Sequence, residues 1–208
     1  MIAQLAGEQM KKPAIIGTER GASYYDDTYS RNAKARLHYT QTEYYGLWAT
    51  LIDRLRILPT RHILEIGCGA GQLANAIRDL DLAHSYLGID FSKIAVRQAR
   101  EVNPGWSFRC ADVFADAALE DEPYDVVLST EFFEHVNEDL AVVQRIRAGT
   151  MVLASVPNFP WHEHVRHFRN AQEVHDRYIP FFETLRVVPI RMQKKFAMHF
   201  LLQGARRG

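Results

Sequence analysis

Residues 62–73, HILEIGCGAGQL, constrain the fold more than any other stretch of the chain. The apolar run Ile63, Leu64 and Ile66 reads as a short buried strand. Gly67-Cys68-Gly69-Ala70-Gly71 follows, and then Leu73, Ala76, Ile77 and Leu80 fall on one helical face. Strand, glycine turn and amphipathic helix make the opening of a nucleotide-binding βαβ unit. Without a Cβ, the glycines let the backbone turn sharply and let a ligand approach the main chain. The next apolar run, SYLGID, ends in Asp90, 19 residues after Gly71. A βαβ unit places its ribose-binding carboxylate at about that distance. Glu65 sits two residues before the first glycine. A pyrophosphate favours a helix N-terminus free of acids, whereas a cofactor bearing a sulfonium and an ammonium tolerates one.

LEIGCGAGQ followed by GIDFS closely resembles the class I S-adenosylmethionine-dependent methyltransferases, of the small-molecule, ubiquinone-biosynthesis-like type. The resemblance implies an α/β, Rossmann-like fold. Its seven-stranded, mostly parallel sheet carries helices on both faces and an antiparallel last strand. It also implies S-adenosylmethionine as cofactor. The glycine loop then carries the methionine end, Asp90 the ribose hydroxyls, and Asp112, the acid after the third strand, the adenine amino group. Asp112 also suits a turn cap. The implied cofactor set is Tyr24, Glu65, Gly67, Cys68, Gly69, Gly71, Gln72, Asp90, Phe91, Ser92, Asp112, Val113, Thr130, Glu131 and Phe132. A nicotinamide enzyme is the competing use of such a turn.

The 208 residues suit one globular unit, with residues 1–58 as an N-terminal arm and cap helices and 59–208 as the cofactor-binding domain. The net charge is zero, with 25 basic and 25 acidic residues, which argues against bulk-charge binding of nucleic acid. Cys68 and Cys110 read as reduced, small buried residues rather than a disulfide. No apolar run approaches a membrane span, and the N-terminus lacks signal-peptide order, so a cytoplasmic protein is expected. A monomer and a homodimer are both open.

Residues 1–20 show no periodic signal and read as an arm. Tyr24, Tyr25, Tyr29, Tyr39, Tyr44 and Tyr45 then crowd residues 21–45. They either fold over the cofactor as a lid or cover the sheet edge. Tyr44, Leu47, Trp48, Leu51, Ile52 and Leu55, at helical spacing, read as core. Ser92 is an N-cap for a helix over Lys93–Val102, which Asn103-Pro104-Gly105 stops. Trp106–Cys110 alternates as a third strand. Val126, Val127 and Leu128 make a buried fourth strand, Met151–Asn158 a fifth. A helix carrying Leu140, Val143 and Ile146 lies between them. Ala171–Tyr178 reads as a helix, and 185–191 and 195–206 as the closing strands.

The fourth strand ends near Thr130, at the sheet edge where doubly wound folds bind ligands. This places Glu131, Phe132, Glu134 and His135 beside the cofactor or the methyl acceptor, which the reading takes as a small molecule. An EHV-type motif here is common in the family that the chain resembles. Methyl transfer to a hydroxyl or amine needs a base, and histidine suits neutral pH. His135 is the first candidate, with His167 or His164 second. FPWHEHVRHFRN, residues 159–170, reads as a substrate wall or a surface loop. Glu131-x-x-Glu134-His135 also resembles the metal motif of small-RNA 3′-terminal 2′-O-methyltransferases, where Mg²⁺ or Mn²⁺ polarises a ribose hydroxyl. The small-molecule reading needs no metal. A cofactor-binding regulator without activity is the third alternative.

Overall fold

The computed structural model describes residues 17–59, 61–192 and 197–208. Residues 1–16 of the expected arm, and the first two residues of the expected strand 195–206, lie outside these. Helices α1 (Ala22–Arg31) and α2 (Tyr45–Arg56) precede the alternating part of the chain. There follow β1 (His62–Ile66), α3 (Gln72–Asp79), β2 (Ser85–Asp90), α4 (Lys93–Val102) and β3 (Ser107–Cys110). The second half holds α5 (Ala118–Asp121), β4 (Val126–Thr130), α6 (Asp139–Arg145), β5 (Met151–Pro157) and α7 (Ala171–Tyr178). Strands β6 (Phe182–Arg191) and β7 (Met198–Arg206) close the chain.

The sheet order is β3-β2-β1-β4-β5-β7-β6. The first five strands are parallel, and β7 runs antiparallel to both β5 and β6. Pro189 is tolerated because β6 is an edge strand with only β7 beside it. The order reverses at β1 and β4, so their carboxyl ends open a crevice at the switch point.

Period-two alternation sorts the core into two layers. Leu64, Ile66, Val127 and Val152 face one layer with Phe133, Phe182 and Tyr178. Ile63, Val126, Leu128 and Leu153 face the other, packed by Leu47, Leu51 and Leu55 of α2 and Leu73 and Ile77 of α3. The same alternation puts Glu65 in the second layer, where it is buried and accepts a hydrogen bond from Tyr86. Trp106 falls just before β3 and stacks on Tyr86, with ring centroids 4.7 Å apart. The helix starts follow the expected chemistry: Ser92 Oγ accepts from the Ala95 N–H, and Asn170 caps α7 through the Glu173 N–H. Among the described residues, no helix is long and apolar enough to cross a membrane. Cys68 is buried, Cys110 is exposed, and both are free thiols.

Candidate active site

The turn after β1 uses the left-handed region three times, at Gly67 (φ 72°), Gly69 (φ 53°) and Gly71 (φ 76°). The Gly67 and Cys68 N–H groups both donate to the Ile89 carbonyl, at 2.8 and 3.1 Å, so the turn folds back over the end of β2. Asp90 completes this link. It accepts from the Gly69 N–H at 3.0 Å and from the Ser92 N–H at 2.9 Å. The spacing of 19 residues thus has a structural cause: one carboxylate ties the glycine turn to the start of α4. Burial pushes its pKa up to about 6, against the pull of those two N–H donors.

A cleft of about 290 Å³ opens at the carboxyl ends of β1, β2, β3 and β4. Its lining includes Glu65, Gly67, Cys68, Gly69, Gln72, Asp90, Phe91, Asp112, Val113, Thr130, Glu131, Phe132 and His135 from the expected set. Four expected residues are not in the lining. Gly71 serves packing: a Cβ there would lie 2.6 Å from Asn103 Nδ2. Ser92 is occupied as the α4 cap and donates its hydroxyl to Asp26 at 2.7 Å. Tyr24 is exposed and turns away to donate to Glu163. His167 is half-buried outside the cleft, in a loop that supports the site rather than walls it. That loop clasps the β4–α6 connection: the Val165 N–H donates to the Glu134 carbonyl at 2.8 Å, and Arg166 donates to the carbonyls of Phe133, Val136 and Asn137.

The tyrosine-rich segment lies over the cleft. Asp26 Oδ1 accepts from Ser92 Oγ and, at 3.1 Å, from the Ile94 N–H, which fastens α1 to α4. Glu19 accepts from the Asn137 backbone and side chain, at 2.8 and 2.7 Å, and fastens the other end. Between them Tyr25 and Tyr29 line the cleft, the Tyr29 hydroxyl filling the space that a Cβ on Gly69 would need. Tyr44 and Trp48 also line it, so these two differ from the expected purely core role.

The β4 end carries the titratable cluster. Glu131 adopts φ 55°, a left-handed backbone that non-glycine residues adopt at a cost. Its carboxylate accepts from Ser155 Oγ at 2.8 Å and lies 3.3 Å from His199 Nε2. Burial pushes Glu131 up to about 7 and lifts Glu134 well above the usual carboxylate range, the neighbouring Glu131 charge adding to it. Burial lowers His135 to about 4, with His164 contributing. Both ring nitrogens of His135 face protein. Nδ1 lies 3.1 Å from both the Glu163 carbonyl and the Tyr25 hydroxyl, and Nε2 lies 3.7 Å from Glu134 Oε1. His164 Nδ1 bonds the Phe159 carbonyl at 3.0 Å. Ligand atoms of Glu134, His135 and His164 all lie within 4.8 Å of one another, close enough to hold a metal ion. His199, Tyr25, Tyr29 and Tyr44 are the members that spacing did not single out. Only the aromatic density of residues 21–45 signalled the last three.

Residues 64–150 match the family model described as "Methyltransferase domain". Over 115 residues the chain is 30% identical to the ubiquinone biosynthesis O-methyltransferase of Pseudomonas fluorescens, covering 51% of this chain and 49% of that protein. The chain spans half or less of the length of such curated relatives. A chain of the complex between the Haloferax volcanii Trm112 methyltransferase activator and a methyltransferase superposes with a TM-score of 0.67 at 16% identity, covering 88% of this chain and 98% of that one. A DhpI–S-adenosylhomocysteine complex gives 0.65 at 19% identity, covering 89% and 96%. These two likenesses concern the fold, which is the class I arrangement. Residues 64–150 thus match a methyltransferase domain, and the sheet around them has the class I arrangement.

Proposed function

We propose that the chain binds S-adenosylmethionine in this cleft and moves its methyl group to a hydroxyl or amine of a small molecule. The observation that carries this is the charge of the lining. Glu19, Asp90 and Asp112 bring three carboxylates against the single guanidinium of Arg20; Glu131, at about 7, adds part of a charge, and Glu65, which burial raises to about 8, adds little. Such a cleft suits a ligand with a sulfonium and an ammonium, and repels a pyrophosphate. Asp90 is the acceptor for the ribose hydroxyls. Asp112, which already accepts from the Phe114 N–H at 2.9 Å, faces the adenine end. We place the protein in the cytoplasm and read residues 17–58 as the cap over the site.

The cofactor supplies an activated methyl group. The chain's own residues orient the partners and exclude water, the acceptor atom lying roughly 3 Å from the methyl. The acceptor's proton goes to Glu131 rather than to His135. Glu131 lies in the cleft with a pKa of about 7, near the operating pH. His135 has both nitrogens turned to protein. The test is methyl-labelled S-adenosylmethionine offered with a panel of small hydroxyl and amine acceptors. Label transfer supports the enzyme. Tight binding of S-adenosylhomocysteine without transfer to any acceptor points to a cofactor-binding regulator instead.

A second reading concerns the same reaction with a divalent cation, favoured by the convergence of Glu134, His135 and His164. When bound, such an ion would polarise the acceptor oxygen. Loss of transfer in EDTA, restored by Mn²⁺, selects this reading. Unchanged transfer in EDTA removes it.

A further inference from the structure

The hydrogen-bond accounting around His135 Nδ1 leaves one proton unplaced. Nδ1 lies 3.1 Å from the Glu163 carbonyl, which can only accept. That bond requires the proton on Nδ1. The Tyr25 hydroxyl, 3.1 Å from the same nitrogen, therefore accepts there too. Among the described residues it has no other hydrogen-bond partner, so its own O–H proton is free. The Tyr25 ring is held between Phe91 and His135, at centroid distances of 5.4 and 6.1 Å, and it lines the cleft.

The sheet order says what that proton meets. The acceptor groups Asp112 and Asp90 lie at the ends of β3 and β2, where the adenosine half is placed. The Tyr25 hydroxyl lies across the cleft, with His135 after β4 and Glu163 after β5. The ligand half reaching that side is the amino-acid end, whose carboxylate needs donors in a lining otherwise rich in acceptors. Arg20 brings a guanidinium to the lining, set 5.2 Å over the Tyr24 ring, whereas the Gln72 amide already donates to the Lys34 and Leu37 carbonyls.

Resting on the function proposed above, we infer that Tyr25 donates its phenolic O–H to the carboxylate of the cofactor's amino-acid end, and that His135 is the positioning residue that aims it. His135 therefore acts through Tyr25 and does not take the acceptor's proton.

The test compares two probes by calorimetry on the full chain: S-adenosylhomocysteine, which has the amino-acid end, and 5′-methylthioadenosine, which lacks it. Tyr25→Phe removes only the hydroxyl. It is expected to weaken S-adenosylhomocysteine by about tenfold to a hundredfold, the range of a hydrogen bond to a charged group, and to leave methylthioadenosine within about twofold. His135→Ala gives the same one-sided loss, and His135→Asn, which restores an N–H donor, recovers part of it. The inference is overturned if Tyr25→Phe binds S-adenosylhomocysteine as wild type does, or loses both probes equally. It is also overturned if His135→Asn is as weak as His135→Ala. Wild-type protein that takes up neither probe removes the cofactor reading itself, which is a different result from a variant that discriminates wrongly.

Discussion

Replacing Asp90 by alanine lowers the affinity for S-adenosylhomocysteine by about 100-fold or more, measured by calorimetry. The ligand's two ribose hydroxyls lose a charged acceptor, a loss of about 3 kcal/mol or more. The glycine turn also loses the carboxylate that holds the Gly69 and Ser92 N–H groups. A thermal melt of the free variant separates the two effects: a melt close to wild type assigns the affinity loss to the ligand contact. The same residue gives a pH dependence. Its pKa of about 6 is raised by burial, so in the free protein it is protonated below pH 6 and charged above. If the charged form is the one that accepts from the ribose, affinity is level above about pH 7. It then falls as the pH drops through 6, approaching tenfold per pH unit well below it. Affinity that rises on acidification contradicts the assignment.

The largest stability effect is expected at Asp139. This carboxylate is fully buried at the start of α6. It accepts from Arg177 at 2.9 and 2.6 Å and from the Tyr178 hydroxyl at 2.7 Å, with Arg166 3.2 Å away. Asp139→Ala leaves the Arg177 guanidinium and the Tyr178 phenol without their acceptor and removes the charge beside Arg166. Breaking a buried ion pair from one side costs about 3–5 kcal/mol, which urea unfolding would read as a lower midpoint with an unchanged slope. The consequence reaches the site, because Arg166 also holds the carbonyls of Phe133, Val136 and Asn137. Loss of its partner loosens the loop that carries Glu131 to His135. A variant as stable as wild type would mean that the network contributes nothing net.

The parts of this arrangement that leave a local trace were legible in the sequence. A glycine turn, an N-cap such as Ser92 and a buried strand such as Val126–Leu128 each follow from neighbouring residues alone. Helix 93–102 has the observed bounds because Ser92 caps its start and Asn103-Pro104-Gly105 stops its end. Asp90 was legible because its distance from the turn is fixed by one βαβ unit. The contacts that finish the site are of another kind. Asp26 with Ser92, Glu19 with Asn137, Tyr25 with His135 and Glu131 with His199 join residues far apart in sequence. Such pairs obey no period, so tyrosine density indicated a cover without saying which rings face inward. Tyr24 and Tyr25 are neighbours on one helix, yet one turns to Glu163 outside and the other lines the cleft. The histidine-rich loop stayed open between a substrate wall and a surface loop for a related reason. Composition does not show that its Val165 N–H and Arg166 hold the β4–α6 connection while its His162 and His164 carbonyls accept from Thr18 and Gly17.

What the acid-lined cleft over the glycine turn takes up decides the function of the chain. Titrating the purified chain with S-adenosylhomocysteine in a calorimeter, and with NADH in parallel, measures this directly. Saturable uptake of S-adenosylhomocysteine at a single site, with no response to NADH, is the predicted result. A chain that melts cooperatively yet takes up NADH, or neither compound, contradicts it.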